Sequence, residues 1–364
     1  MRGFACILVL LQHMLWICPI RFLHNIIPQS LSIGVSGMRI FFAISGFVVT
    51  LSLINKFRFS SSELFLDRLR SERSVIFSFY KNRIFRTFPV LIFLVLAMLV
   101  FMSLTTDSTD FVASLLRTPI EIFFGVHNYS VGSYVHVEKI HCGGFGPFWT
   151  LAIEMQFYLL WPVALLLFRG NSARALMSLG LGCMFLFVIQ PLCIYFLNID
   201  YYSTCNNLSE LFLGSFFAFI YEDGIGKNVN RNMAMVVGVL LATVIWCYPS
   251  ITSKENPFFS KITPSLASVF LVVLCAFVKG SFRIPLLDYL FQYLGSRSYS
   301  LYAVQLSVVN IVVWYTNSIY FPKEAFSEYA FYVYQLIIAI IAVFVITEIT
   351  YRVIERPIRR FARR

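Results

Sequence analysis

Long apolar runs alternate with short polar segments along the whole chain. A membrane span needs about 20 mostly apolar residues. Ten runs approach that length, at about 3–19, 33–54, 88–104, 148–168, 175–197, 207–222, 232–249, 263–279, 299–316 and 330–350. The pattern predicts an all-α polytopic membrane protein of about ten transmembrane helices. No internal repeat or low-complexity tract breaks the series, so a single domain over residues 1–364 is expected. The first run is not read as a cleavable signal peptide, because it holds Gln12 and His13 and has no small-x-small cleavage site.

Composition agrees with a membrane setting. The chain is 59% hydrophobic and 13% charged, whereas soluble domains are about 25% charged. Aromatic residues make up 17%, which suits rings gathered at the two membrane interfaces. The net charge of +11 would fit nucleic acid if it were clustered on one soluble face, but its distribution follows topology instead. An even number of spans puts both termini on one side. With the N-terminus in the cytoplasm, only Arg21, Arg117, Lys139, Lys254, Lys261 and Lys323 of the 29 Lys and Arg residues fall outside, and Arg39 lies within a span. The excess of positive charge on the cytoplasmic side selects this orientation. Orientation and lipid headgroups then account for the charge without nucleic acid. The eight Cys include no CxxC pair; most lie in apolar runs, where Cys acts as a small hydrophobe.

Charges at membrane depth are costly and mark sites or pathways. The run FWTLAIEMQFYLLWP, residues 148–162, carries Glu154 and Gln156. Counted from the expected outer ends of their spans, His13, Arg39 and Glu154 each lie about 9 Å below the outer surface. That register predicts a base, a cation and a carboxylate at one level. Two readings are open: an Arg39–Glu154 ion pair that packs helices, or a site in which Glu154 orients His13 as a general base. Arg2 and His13 are eleven residues apart, about 20° beyond three full helical turns, so they share a face and lie about 16 Å apart along the axis. In FYKNRIFRTFP, Arg83 and Arg86 face the same way. They suit either a phosphate clamp or a positive-inside anchor.

The stretch 105–147 reads as a long outer loop whose apolar part, DFVASLLRTPIEIFFGV, is an interfacial or re-entrant helix. The spacing of His127, His136, His141 and Cys142 is irregular for a metal, and no metal site is expected. Cys142 and Cys205 both fall on the outer side, where a disulfide can form.

Several blocks together resemble bacterial acyltransferase family 3, membrane proteins that O-acetylate sugars of lipopolysaccharide, exopolysaccharide and small glycosides. MRGFACILVLLQH carries the family's Arg and His, with ten residues between them, as Arg2 and His13. GMRIFFAISGFVV is similar to its FFxxSGF block, with Arg39, Phe41, Phe42, Ser45 and Gly46. NRIFRTFP supplies the RxxR, and FWTLAIEMQFYLLWP supplies Trp149, Glu154, Phe157, Tyr158 and Pro162. LGSRSYSLYAVQ and IERPIRR complete the set in family order.

The resemblance implies transfer of an acyl group, acetyl above all, from cytoplasmic acyl-CoA to a sugar hydroxyl of a surface glycan such as lipopolysaccharide O-antigen, across a bacterial inner membrane. It implies His13 and Glu154 as catalytic residues, and Arg2, Arg83 and Arg86 as contacts for coenzyme A, with acyl-CoA a substrate and no cofactor bound permanently. Arg39, Ser45, Trp149, Tyr158, Tyr302 and Gln305 would support the site. The block at 299–305 usually ends in His; here it ends in Gln305, so His13 is expected to do the acid–base work alone. Many relatives carry a hydrolase-like domain after the tenth helix. This chain stops at Arg364, and the expectation is that it modifies its acceptor without one. A lipid-linked sugar flippase or acyl carrier is the rival class, and it would commonly show a repeat between halves.

Overall fold

In hydrocarbon no water is present to satisfy backbone N–H and C=O groups, so an apolar run must close its own hydrogen bonds as a helix. The computed structural model describes residues 1–17, 33–57, 65–105, 109–131, 146–167, 178–180, 182, 202–224, 230–252, 257–278, 285–318 and 328–362, and the regular structure among them is helical. The helices are α1 (Arg2–Ile17), α2 (Ile33–Ile54), α3 (Phe65–Ser71), α4 (Arg73–Thr105), α5 (Thr109–Phe123), α6 (Trp149–Leu167), α7 (Ser209–Glu222), α8 (Arg231–Thr252), α9 (Pro257–Phe277), α10 (Pro285–Ser296), α11 (Ser298–Ser318), α12 (Glu328–Thr350) and α13 (Arg356–Ala362). Among the described residues, four stretches are long and apolar enough to cross a membrane: Ile33–Ile54, Arg73–Phe101, Gly146–Leu167 and Ala330–Ala362. Arg2–Met14, Asn232–Trp246 and Ile262–Phe277 are apolar but shorter. The expected run at 175–197 falls almost wholly outside the described residues.

Helix α4 differs from its expected span. It has 33 residues and runs unbroken through Arg83, Arg86 and Pro89, so the arginines continue the wall of the spanning helix. Helix α5 folds back along α4, and the Phe88 and Phe123 rings meet edge to face at 5.5 Å. The loop expected outside therefore re-enters to the level of Phe88. Its turn uses Gly125 at φ 68°, where a Cβ would come within 2.8 Å of Gln156 Cγ. The polar residue Gln156 in α6 is explained by this tip. Its amide donates to Asn128 Oδ1 at 3.2 Å and to the Gly125 carbonyl, and it accepts from Thr204 Oγ1 at 2.6 Å. Asn128 in turn donates to the Tyr202 carbonyl at 3.0 Å.

Helix α2 is the centre of the bundle and packs on α1, α6, α7 and α9. It approaches α7 closely because Gly46 and Gly214 face the other helix: a Cβ on Gly46 would overlap the Leu211 carbonyl, and one on Gly214 would overlap the Ala43 carbonyl. Small residues let spanning helices gain dispersion contacts that lipid cannot match. Hydrogen bonds add to the seam, with Thr50 donating to Ser215 Oγ at 2.8 Å and Trp161 donating to Thr50 Oγ1 at 2.7 Å.

An ion pair lies in the same region. Arg39 Nε is 3.6 Å from Glu210 Oε1, with the two side chains 7% and 2% exposed. Glu210 also accepts hydrogen bonds from Ser209 at 2.9 Å and Ser265 at 2.6 Å, so one carboxylate links α2, α7 and α9. Of the two readings left open by the sequence, the Arg39–Glu154 ion pair is replaced by this contact. Arg39 faces α7 and α9, whereas Glu154 is held elsewhere on α2. Removing one partner of a buried pair costs about 3–5 kcal/mol, because a lone charge is left behind. Arg39→Ala should therefore lower the thermal midpoint of the detergent-solubilised protein strongly, and Arg39→Met with Glu210→Met should recover most of the loss. A midpoint for Arg39→Ala equal to that of the parent protein would contradict this role.

Candidate active site

The N-terminal end of α1 meets α2, α4, α6 and α11 around one cavity, about 570 Å³ of atom-free space including its open mouth. Arg2, Arg86, Glu154, Ser45, Thr150 and Tyr302 line it. Glu154 is held on both oxygens: Ser45 donates to Oε1 at 2.6 Å, and Tyr158, one helical turn on, donates to Oε2 at 2.8 Å. Arg2 lies within electrostatic reach of Glu154, Arg86 and Arg83. The Arg83 guanidinium sits 4.7 Å from the centre of the Tyr158 ring and 5.3 Å from that of Phe79. The aromatic faces attract the cation while leaving its N–H groups available. Three guanidiniums thus lie in the neighbourhood of one carboxylate. Such a site has surplus positive charge and planar donors suited to phosphate, with Glu154 as its internal counter-ion.

His13 lies elsewhere along α1. It is 6% exposed and has the Gln305 side chain as a neighbour, although both atoms of that amide are buried without a hydrogen bond of standard geometry. Neighbouring contacts give the register. Cys6 approaches the Ser298 carbonyl at 3.8 Å, so His13 and Gln305 lie about two turns farther along the parallel pair α1 and α11. Glu154 shares its cavity with Arg2, and His13 does not line that cavity. The common depth expected for His13, Arg39 and Glu154 is therefore corrected: Glu154 lines the cavity that Arg2 lines, and His13 does not. The reason is the start of α6. The 3₁₀ turn Gly146–Phe148 that precedes it is inserted into the protein, with Phe148 1% and Trp149 8% exposed. Tyr302, in α11, donates to the Pro147 carbonyl at 2.7 Å. Because α6 begins inside the protein, a count of six residues from its start does not give the same level as the same count in α2.

The other expected residues divide between these places. Tyr302 lines the cavity and shares a 2.7 Å hydrogen bond with Thr150. Trp149 packs edge to face on Phe42 and Tyr202. Of the loop residues, His127 is buried and pairs with Glu121 at 2.8 Å, while His136, His141 and Cys142 lie outside the described residues. Cys205 is exposed. Among the described residues no group of three His, Cys, Asp or Glu side chains is arranged to hold a metal.

Some participants were not singled out from the sequence. Glu210 sits in the apolar run SELFLGSFFAF and was open to the same reasoning as Glu154. Tyr299 lines the cavity and donates to the Thr87 carbonyl at 2.6 Å, joining α11 to α4 beside Arg86. Glu355, 2% exposed, accepts from the Ser300 hydroxyl at 2.6 Å and its backbone N–H at 3.2 Å. It thereby caps α11 from another part of the chain, and nothing local in the sequence signals that.

Comparison with known proteins gives a context for this site. The chain is 27% identical over 362 residues to the protein named O-acetyltransferase OatA from Staphylococcus aureus strain NCTC 8325, covering 93% of this chain and 55% of that one. It is 22% identical over 346 residues to the Peptidoglycan O-acetyltransferase OatA of Listeria monocytogenes serovar 1/2a, covering 90% and 51%. The chain therefore spans about half the length of the curated relatives it matches. No solved structure matches. The family model for the acyltransferase domain of acyltransferase family 3 matches residues 1–351, nearly the whole chain that builds the cavity, and the protein belongs to that family.

Proposed function

We propose that the protein is an O-acetyltransferase of the bacterial cytoplasmic membrane, with about ten spans and both termini inside, that moves an acetyl group from acyl-CoA to a hydroxyl of a surface glycan. The observation that carries this reading is the cavity lined by Arg2 and Arg86 at the beginning of a helix whose same face leads to His13. Coenzyme A carries a pyrophosphate and a ribose 3′-phosphate and reaches its thioester through a flexible arm. The guanidiniums suit the phosphates, and the distance of about 16 Å from Arg2 to His13 is the distance the arm would bridge. Membership in an acyltransferase family supports transfer over the flippase reading.

In this reaction the acceptor hydroxyl oxygen attacks the thioester carbonyl. His13 takes the hydroxyl proton, the C–S bond breaks, and the proton passes from His13 to the leaving thiolate. Gln305, beside the imidazole, orients it. Glu154 lines the Arg2 cavity, which His13 does not; it balances the arginines and offsets their mutual repulsion in the absence of donor. The name of the Listeria monocytogenes relative favours peptidoglycan as the acceptor. Lipopolysaccharide O-antigen is the other glycan the test includes. Mass spectrometry of base-labile acetate on both glycans, with and without the protein, tests the reading and identifies the acceptor.

Loss of a positioned general base costs about 10²–10⁴ in rate. His13→Ala should therefore remove the glycan ester while the protein stays in the membrane at normal abundance; an unchanged ester level would exclude His13 from the chemistry. Glu154→Gln keeps both hydrogen-bonding neighbours and removes the counter-charge. Severe loss of transfer at normal abundance is expected, and normal transfer would sink the counter-ion role. Arg83→Lys with Arg86→Lys keeps the positive charge but loses the planar fork. In membrane vesicles with the inner face exposed, that variant should need more acetyl-CoA for half-maximal rate, with the glycan dependence unaltered. Equal acetyl-CoA dependence would make the two arginines topological anchors only.

A further inference from the structure

The cation cluster does not end at the cavity. After α12 the chain makes a π-helical turn, Tyr351–Glu355, and then α13. A π turn inserts about one extra residue and so rotates the helix beyond it. Here Glu355 points to the first turn of α11 and is buried on Ser300. Arg359 comes one turn later on the same face and donates to Glu355 Oε1 at 2.9 Å. The helix is also pinned to α4, where the Phe361 and Phe85 rings lie 6.2 Å apart. These contacts bring Arg359 within electrostatic reach of Arg83, with 34% of its side chain exposed.

Like charges do not gather around a spanning helix without a ligand or a counter-ion. Glu355 balances part of Arg359, as Glu154 balances part of the inner cluster. The guanidiniums are connected from the cavity to α13: Arg2 and Arg86 are on its wall, Arg83 is one helical step along α4, and Arg359 is within electrostatic reach of Arg83 and held by Glu355, which sits on Ser300 next to the cavity residues Ser298 and Tyr299. In coenzyme A the pyrophosphate lies nearer the thioester, and the ribose 3′-phosphate is the outermost anion. We propose that Arg359, held by Glu355, binds that outermost phosphate monoester, so that the C-terminal helix α13 is part of the donor site. The inference rests on the acyl-CoA reading of the cavity. The competing source of the same chemistry is a phosphate of an anionic lipid headgroup.

The experiment uses the full-length protein in proteoliposomes with the cytoplasmic face outward, with and without phosphatidylglycerol. Acetyl-CoA and its 3′-dephospho analogue are compared as donors. Arg359→Gln is compared with Arg360→Gln, which removes the same charge from an exposed position on the same helix. The parent protein and Arg360→Gln should use the dephospho analogue about tenfold less well than acetyl-CoA, the scale of one charge-assisted contact. Arg359→Gln should raise half-saturation by acetyl-CoA by a similar factor and abolish the discrimination, while Arg359→Lys, which retains charge and packing, should keep part of it. Undiminished discrimination in Arg359→Gln overturns the inference. So does an equal effect of Arg360→Gln, or a loss seen only with phosphatidylglycerol, which would assign Arg359 to headgroups. If the parent protein shows no dependence on acetyl-CoA at all, the donor reading itself fails and the inference with it, a result distinct from the others.

Discussion

The cavity depends on one electrostatic balance, the Glu154 carboxylate against the guanidiniums of Arg2, Arg83 and Arg86. A charge brought out of water is tolerable only when it is paired and hydrogen-bonded. Ser45 and Tyr158 complete the shell of Glu154, and the Phe79 and Tyr158 rings support Arg83. Each contributor comes from a different helix or from a different turn, so the balance exists only when α1, α2, α4 and α6 are docked. Arg39 and Glu210 repeat the device on the opposite face of α2, where Ser209 and Ser265 leave no carboxylate oxygen without a donor. The first arrangement lines a cavity; the second is closed and joins helices.

The same constraint shapes the backbone. Irregular chain at membrane depth is tolerated only when it is buried in protein. The buried turn before α6 and the tip of the re-entrant hairpin meet that condition in different ways. The first is covered by Tyr302 and by the packing of Phe148 and Trp149. The second is stitched to α6 by Gln156, Asn128 and Thr204. A polar residue inside an apolar run can thus serve a neighbouring loop as well as a substrate. Gln156 and Glu154, two residues apart, represent the two cases, because positions i and i+2 face different sides of a helix.

Helical class, membrane setting and the identity of the charged residues were legible in the sequence, because they depend on composition and on local periodicity. The facing of Arg83 and Arg86, and the shared face of Arg2 and His13, come from helix geometry alone. Depth was not legible for Glu154. It was counted from the end of an apolar run, and that count holds only when the run begins at the membrane surface. The π-helical turn that redirects Arg359, and the trans cap that Glu355 provides for Ser300, likewise have no local signature.

What the sequence by itself determined is therefore the set of elements and of costly groups: runs long enough to be helices, and the charges that those helices must accommodate. Only the tertiary structure decided which charge meets which. Pairing depends on the insertion level and rotation of each helix, and these are set by packing with other helices: glycine contacts between α2 and α7, a buried start for α6, a folded-back α5. Periodicity placed Glu154 and Arg39 in the wrong company, because a helix conveys position along its own axis, whereas its neighbours depend on where that axis begins.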